Sequence, residues 1–202
     1  MSSEVAIPTI GMMILAAGAS SRMGTPKQLL LYQGRSFLSQ IVETAIAAIC
    51  RPIVVVLGAN AQQLKSEVSH FPVQVVENTR WHEGMSSSIK VGIQALINQN
   101  IESVAITLCD QPFVSMQIIN QLIAAYRCTG KSIIACEYAN TLGVPALFSR
   151  ALFPELMNLG ATAGAKYLIK KYSHTVFPVP FPEGAIDIDT PKDYQQLIGV
   201  QQ

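Results

Sequence analysis

Charge is scarce in this chain: Asp, Glu, Lys and Arg make up 13% of its 202 residues, and the formal net charge is +1. Without a block of like charges it has no general attraction for nucleic acid, which leaves small molecules or proteins as partners. Long apolar runs are missing too; none approaches the ~18 residues that span a bilayer, so no membrane association is expected. Met1 to Val5 shows neither a basic lead nor an apolar signal core, and a cytoplasmic location is the expectation. Cys50, Cys109, Cys128 and Cys136 contain no C-x-x-C pair, so neither zinc nor a disulfide framework is indicated and buried free thiols are expected. His70, His82 and His174 do not cluster and read as structural.

Half of the residues are hydrophobic, enough for a sizeable core, and no linker separates one part from another, so residues 1–202 read as a single domain. Strand-like and helix-like patterns alternate from end to end, which predicts an α/β layer fold with a mostly parallel central sheet. Met12 to Ala16 reads as a buried strand. Phe37, Leu38, Ile41, Val42, Ala45, Ile46 and Ile49 recur at helical spacing behind a capping Ser36. Pro52 to Leu57 is a second buried strand, Asn60 is placed to cap a helix running to about Ser69, and Val73 to Val76 forms a brief strand. Ser86 to Asn98 reads as a helix with Ile89, Ile93, Leu96 and Ile97 inward, followed by the strand Val104 to Cys109. Ser115 can cap the next helix, and Ser132 to Cys136 is a further strand. Pro145 to Phe148 predicts an edge strand, because proline is tolerated there and not centrally. Helical stretches near Arg150 to Asn158 and Ala163 to Tyr172 precede a proline-punctuated run, Val176 to Pro182. Thr190-Pro191-Lys192-Asp193 has the cap, first-turn proline and first-turn carboxylate of a helix start.

The most informative segment follows the first strand: Ala17-Gly18-Ala19-Ser20-Ser21-Arg22-Met23-Gly24-Thr25-Pro26-Lys27. Small residues let backbone N–H groups approach phosphate oxygens, and two cations offset their charge, as a nucleotide triphosphate requires. Two familiar templates fail. A dinucleotide fingerprint needs G-x-G-x-x-G, whereas the five residues between Gly18 and Gly24 include no glycine. A Walker A loop needs its lysine directly after the second glycine, and Lys27 comes three positions past Gly24.

Leu15-Ala16-Ala17-Gly18-x-Ser20-x-Arg22-Met23-Gly24-x-Pro26-Lys27 instead resembles the signature of the molybdenum-cofactor nucleotidyltransferases, in particular the cytidylyltransferase branch. The guanylyltransferase branch usually shows Leu-Ala-Gly-Gly where this chain has Leu-Ala-Ala-Gly. The resemblance covers nearly the whole chain and implies a three-layer, Rossmann-like nucleotidyltransferase fold. It implies transfer of CMP from CTP to the terminal phosphate of molybdopterin, free or molybdenum-bound, with Mg2+ as cofactor. An apo-molybdoenzyme or its chaperone is implied as a recipient of the product. Arg22 and Lys27 would then act on the transferring phosphates, and Leu15, Ala16, Ala17, Gly18 and Gly24 would border the nucleotide.

Asp110 follows an apolar strand, at the strand end where open parallel sheets place their ligands, and beside such a loop it is a candidate magnesium ligand and nucleotide contact. A second carboxylate is available in Asp187-Ile188-Asp189-Thr190-Pro191, where Asp189 matches the family's metal-binding position best and Asp187 is the reserve. If extended, this segment would point both carboxylates the same way. Glu83-Gly84-Met85-Ser86-Ser87-Ser88 resembles the base-contacting segment of cytidylyltransferases, which implies nucleotide contacts at Gly84, Met85 and Ser88. Gly143-Val144-Pro145 matches a Gly-x-Pro element near the acceptor, with Val144 where relatives commonly have histidine. Ala161-Thr162-Ala163-Gly164-Ala165-Lys166 departs from Gly-Asp-x-Gly-Ala-Arg or Lys, so Gly143, Pro145 and Lys166 are candidate acceptor residues while the acceptor itself stays open. Alternatives are GTP with molybdopterin, CTP with a sugar or isoprenoid phosphate, and a nucleotide-sensing or maturation-chaperone domain without turnover.

Overall fold

A computed structural model describes residues 9–161 and 163–199. The readings placed on Met1 to Val5 and on Thr162 lie outside these residues. In chain order the strands are β1 (Ile10–Ala16), β2 (Leu31–Tyr32), β3 (Arg35–Ser36), β4 (Ile53–Leu57), β5 (Gln74–Glu77), β6 (Ser103–Leu108), β7 (Ile133–Tyr138), β8 (Thr141–Ser149) and β9 (Phe177–Pro180). The helices are α1 (Phe37–Ala47), α2 (Ala61–Val68), α3 (Met85–Leu96), α4 (Met116–Thr129), α5 (Phe153–Met157), α6 (Ala165–Lys171) and α7 (Pro191–Gly199).

A seven-stranded sheet in the order β5-β4-β1-β6-β8-β7-β9 forms the centre, and β2 and β3 make a separate hairpin. β1 pairs in parallel with β4 and β6, β4 with β5, and β7 with β9; β8 runs antiparallel to both its neighbours. The mostly parallel α/β sheet expected from the alternating pattern is thus present.

Both faces of this sheet are covered, which is why its inner strands are continuous apolar runs. Alternate residues of β1 and β4 enter opposite cores. Met12, Ile14, Ile53 and Val55 join residues of α1, α2 and α4, whereas Met13, Leu15, Val54 and Val56 join residues of α3, α5 and α6. A smaller cluster of Met23, Tyr32, Phe37, Ile188 and Leu197 fastens the loop after β1, the β2–β3 hairpin and α7 together.

Local capping signals are realised. The Ser36 side chain accepts from Ser39 N at 3.1 Å and Ser115 from Ile118 N at 3.4 Å. Thr190 and Asp193 form a reciprocal box, Thr190 N to Asp193 Oδ2 at 2.8 Å and Asp193 N to Thr190 Oγ1 at 3.3 Å. Asn60 differs: its backbone is left-handed (φ 61°), and a residue there lacks the extended conformation that turns a capping side chain toward the helix. Two apolar positions fall outside their predicted stripes. Helix α1 ends at Ala47 and leaves Ile49 64% exposed, and α3 ends at Leu96 with Ile97 partly exposed. All four cysteines are free, but Cys128 is exposed, contrary to expectation.

The largest correction concerns β8. It was expected at an edge and instead lies between β6 and β7. Its pairing with β7 shifts register: Ala135 faces Ala146 while Cys136 faces Gly143, so Val144 and Pro145 bulge out of the ladder. A bulge makes no demand for the N–H that proline lacks, which explains an imide in an inner strand. The proline-punctuated run supplies the edge instead, as β9, whose Pro178 and Pro180 pair with Ala135 and Glu137.

Candidate active site

β1 and β6 run side by side with Leu15 opposite Leu108, so the loop leaving β1 and the residues leaving β6 emerge together at the carboxyl edge. Asp110 stands there, and Ile188 N donates to its carbonyl at 3.0 Å, which draws the segment 187–189 over the same edge. Ile188 is buried in the small cluster below, and Asp193 Oδ2 also accepts from Asp189 N at 3.2 Å. Three distant parts of the sequence therefore meet before Lys27, Arg22 or the carboxylates of Asp110 and Asp189 make any contact.

Lys27 Nζ lies 2.6 Å from Asp110 Oδ2 and 2.9 Å from Asp189 Oδ1, and Arg22 Nη2 lies 2.9 Å from Asp189 Oδ2. The Lys27 side chain is 13% exposed while Arg22 is largely in solvent. Burial disfavours the charged lysine, but the Asp110 charge and the hydrogen bonds to Asp110 and Asp189 outweigh it and hold Lys27 above its ordinary value. For Asp189, burial works against ionisation, and the Lys27 and Arg22 contacts reverse it, leaving the carboxyl below the usual aspartate range. Asp187 is in the opposite situation. Loss of water around its carboxyl, then the charges of Asp110 and Asp189, push it up to about 6.

Among the described residues no group of three or more His, Cys, Asp or Glu stands ready to hold a metal ion. Magnesium needs less than that, since one or two carboxylates suffice when phosphates and water complete the octahedron. The chemistry fits: Asp110 Oδ1 is buried and among the described residues has no hydrogen-bond partner, so one carboxylate oxygen is left over at this point.

The loop itself turns on Gly24, whose φ of +76° is a left-handed conformation, and on Ser20 at φ 55°. The side chains of Leu15, Ala16 and Ala17 are buried, so only their backbone can border a ligand, and Gly18 is exposed. Ala17 packs against the end of β4: its carbonyl accepts from Ala59 N at 3.0 Å, and a Cβ on Gly58 would lie 2.8 Å from its own Cβ.

Gly84 adopts φ +101° with no room for a side chain, since a Cβ would lie 2.6 Å from the Ala161 carbonyl oxygen. Met85 is exposed at the start of α3. Ser88 is buried, and its hydroxyl accepts from Asn78 Nδ2 at 3.0 Å, so it holds the segment from within. A Cβ on Gly164 would come 2.9 Å from Met85 Sδ, and Ser86 Oγ donates to Ala161 O at 3.2 Å. The segment expected near the base thus touches the one expected near the acceptor.

Gly143 is buried on β8 beneath the Tyr138 hydroxyl, which a side chain there would strike. The Val144 carbonyl, freed by the bulge, accepts from Tyr138 Oη at 3.0 Å and from Gln111 Nε2 at 3.2 Å, which ties Pro145 to the residue after Asp110. Lys166 is exposed on α6, lining cavities of about 770 and 560 Å3.

Two residues escaped the sequence reading. Gln28, 1% exposed, donates to the carbonyls of Ala16 (3.1 Å) and Gly18 (2.8 Å). Asn78, buried after β5, donates to Ser87 and Ser88 at 2.7 and 3.0 Å. An amide directly after Lys27 and before three leucines, and another at a parallel strand end, were the available signals.

Residues 12–176 match the family model of the MobA-like NTP transferase domain. The chain therefore belongs to the MobA-like NTP transferase family, and nucleotidyl transfer is the chemistry of its class. Nicotine blue oxidoreductase of Paenarthrobacter nicotinovorans is 29% identical over 201 residues, covering 95% of this chain and 98% of that protein. Molybdenum cofactor cytidylyltransferase of Escherichia coli K12 is 23% identical over 186 residues, covering 92% and 93%. Among solved structures, Rv0371c of Mycobacterium tuberculosis H37Rv superposes with a TM-score of 0.83 at 29% identity, covering 96% of this chain and 99% of that one. A second structure of Rv0371c, a complex with manganese, gives a TM-score of 0.76 at 28% identity, covering 95% and 98%. Among the described residues no helix is long and apolar enough to cross a membrane.

Proposed function

We propose that residues 1–202 work as one domain that transfers CMP from CTP to the terminal phosphate of molybdopterin, releasing pyrophosphate. The observation that carries this reading is the meeting of Lys27 and Arg22, from the loop after β1, with Asp110 beyond the end of β6 and Asp189 in the segment before α7. An oxygen of the acceptor phosphate attacks the α-phosphorus in line, the bond from that phosphorus to the bridging oxygen breaks, and pyrophosphate leaves with its electron pair. No covalent enzyme intermediate is needed, so positioning and charge neutralisation suffice.

Asp110 and Asp189 would hold magnesium, with Asp187 in reserve; the manganese complex of Rv0371c supports a divalent cation here. When bound, the ion neutralises triphosphate charge and makes the α-phosphorus more open to attack. Lys27 exchanges its carboxylate partners for phosphate oxygens, and Arg22, already at the solvent side, meets the departing pyrophosphate. The backbone of Leu15 to Gly18, with Gly24, Gly84 and Met85, borders the nucleotide, and Ser88 keeps the start of α3 in place through Asn78. Gly143, Pro145 and Lys166 lie toward the acceptor. Ala17, in place of the first glycine of the guanylyl Leu-Ala-Gly-Gly signature, and the Escherichia coli relative support the cytidine choice.

Pyrophosphate release with CTP and with GTP, each with and without molybdopterin, tests the reading. Release with CTP only when molybdopterin is present is the expected result. Release led by GTP moves the assignment to guanylyl transfer. The name of the Paenarthrobacter relative raises a redox reading, which expects no pyrophosphate from any nucleotide.

A further inference from the structure

We propose that Gln28 is a positioning residue that aims the backbone of the phosphate loop; the proposal rests on the nucleotidyl-transfer reading. Gln28 is buried and does not reach the nucleotide side itself. Its amide holds both ends of the loop at once. Nε2 donates to the carbonyls of Ala16 and Gly18, Oε1 accepts from Ser20 Oγ at 3.2 Å, and that same Oγ accepts from Lys27 N at 3.0 Å.

The consequence follows from peptide geometry. In a trans peptide the carbonyl of one residue and the N–H of the next point in opposite directions. Drawing the Ala16 and Gly18 carbonyls toward Gln28 turns the N–H groups of Ala17 and Ala19 away from it, and backbone N–H groups presented by such a loop can cradle an anion. Without those two acceptors fixed, the Gly18 peptide is free to rotate and would present an oxygen to a phosphate instead of a hydrogen. Through Ser20 the same side chain sets where the backbone of Lys27 begins, and hence where its ammonium can reach. A loop poor in bulky side chains has few other means of choosing one conformation.

Three proteins test this: wild type, Gln28→Met, which keeps the volume and loses every hydrogen bond, and Ser20→Ala, a milder change in the half-buried loop that removes the hydroxyl's bonds to Gln28 and Lys27 and leaves the amide's bonds to Ala16 and Gly18 in place. Calorimetry with magnesium measures CTP, GTP, cytidine and guanosine. The expected result is that Gln28→Met weakens the preferred triphosphate by about tenfold or more and leaves its nucleoside within about twofold, with kcat reduced and the KM for molybdopterin unchanged. Ser20→Ala is expected to lower kcat with little change in nucleoside affinity. Triphosphate and nucleoside weakening in parallel, or neither changing in a folded Gln28→Met protein, overturns the proposal. A wild type that binds no triphosphate more tightly than its nucleoside removes the transferase reading, and this role with it.

Discussion

Lys27 sits where a metal ion would compete with it for the carboxylates and a phosphate would compete with the carboxylates for it. Its ammonium already pairs with both Asp110 and Asp189, the two carboxylates proposed as ligands, so in this state the cation fills the place between them. Lys27→Met should fold, losing about 1–2 kcal/mol, less than the 3–5 kcal/mol of a fully buried pair because Asp189 is partly exposed. Turnover should fall by about 100-fold or more, the usual loss when a group stabilising transition-state charge is removed. Mn2+ alone, followed by electron paramagnetic resonance, should bind this variant more tightly than wild type, since the carboxylate oxygens are released; equal binding would mean that the ion sits elsewhere. Asp189 and Asp187 can be told apart in the same way. Asp189 is joined to Lys27 and Arg22 and to the start of α7, whereas Asp187 has no ion-pair partner among the described residues, and loss of water around its carboxyl, then the Asp110 and Asp189 charges, push it up to about 6. Asp189→Asn should therefore abolish most Mn2+ binding and Asp187→Asn should retain it, and the reverse order would exchange their roles.

Helices α1 and α2 are joined by one carboxylate, Glu67, which accepts from Ser36 Oγ at 2.5 Å and Ser39 Oγ at 2.8 Å. The Ser36 hydroxyl first, then that of Ser39, hold the Glu67 carboxyl below its usual value near 4.5. A depressed carboxylate contributes stability that is present above the unfolded value and is lost as pH falls through the folded one. Glu67→Gln should thus lower Tm at pH 7, by about 1 kcal/mol in stability, and the gap to wild type should close below about pH 4.5; a gap that persists in acid would assign the effect to packing. The caps that flank such helices were legible in the sequence because they are local: Ser36, Ser115 and Thr190 each act within three residues. That Lys27, Asp110 and Asp189 meet was legible for a different reason: Lys27 lies in a recognisable loop, Asp110 follows an apolar strand, and Asp189 falls in the Asp-x-Asp-Thr-Pro element that the family resemblance marks. Pro145 was misread because its tolerance depends on a register shift against β7, a property of two strands together. The proline-punctuated run carried no strand assignment for the converse reason: an edge strand needs partners on one side only, so the two prolines of Phe177 to Pro180 do not disqualify it. Gln28 went unseen because its partners are backbone carbonyls, which every sequence possesses.

The sheet explains why residues so far apart in the chain can act on one ligand. With β8 alone reversed, β1, β4, β5 and β6 all deliver their carboxyl ends to one edge, and open α/β sheets bind ligands there. Residues 15–28, 84–88, 110–111 and 187–189 belong to different elements, and a nucleotide spanning them would add cross-links that the unfolded chain lacks. Binding to the native state alone stabilises it by RT ln(1 + [L]/Kd), about 2.7 kcal/mol at a hundredfold excess over Kd. For a chain of this size that corresponds to a rise in Tm of about 5–11 °C. CTP with magnesium should produce such a rise, and GTP a smaller one if Ala17 selects cytidine. The rise must also depend on the cation, because the triphosphate otherwise faces Asp110 and Asp189 with only Lys27 and Arg22 to offset them. Adding a chelator, or replacing Asp110 with asparagine, should remove most of the shift. A shift that survives both treatments would place the nucleotide away from the carboxylates and would separate binding from the transfer proposed for this edge of the sheet.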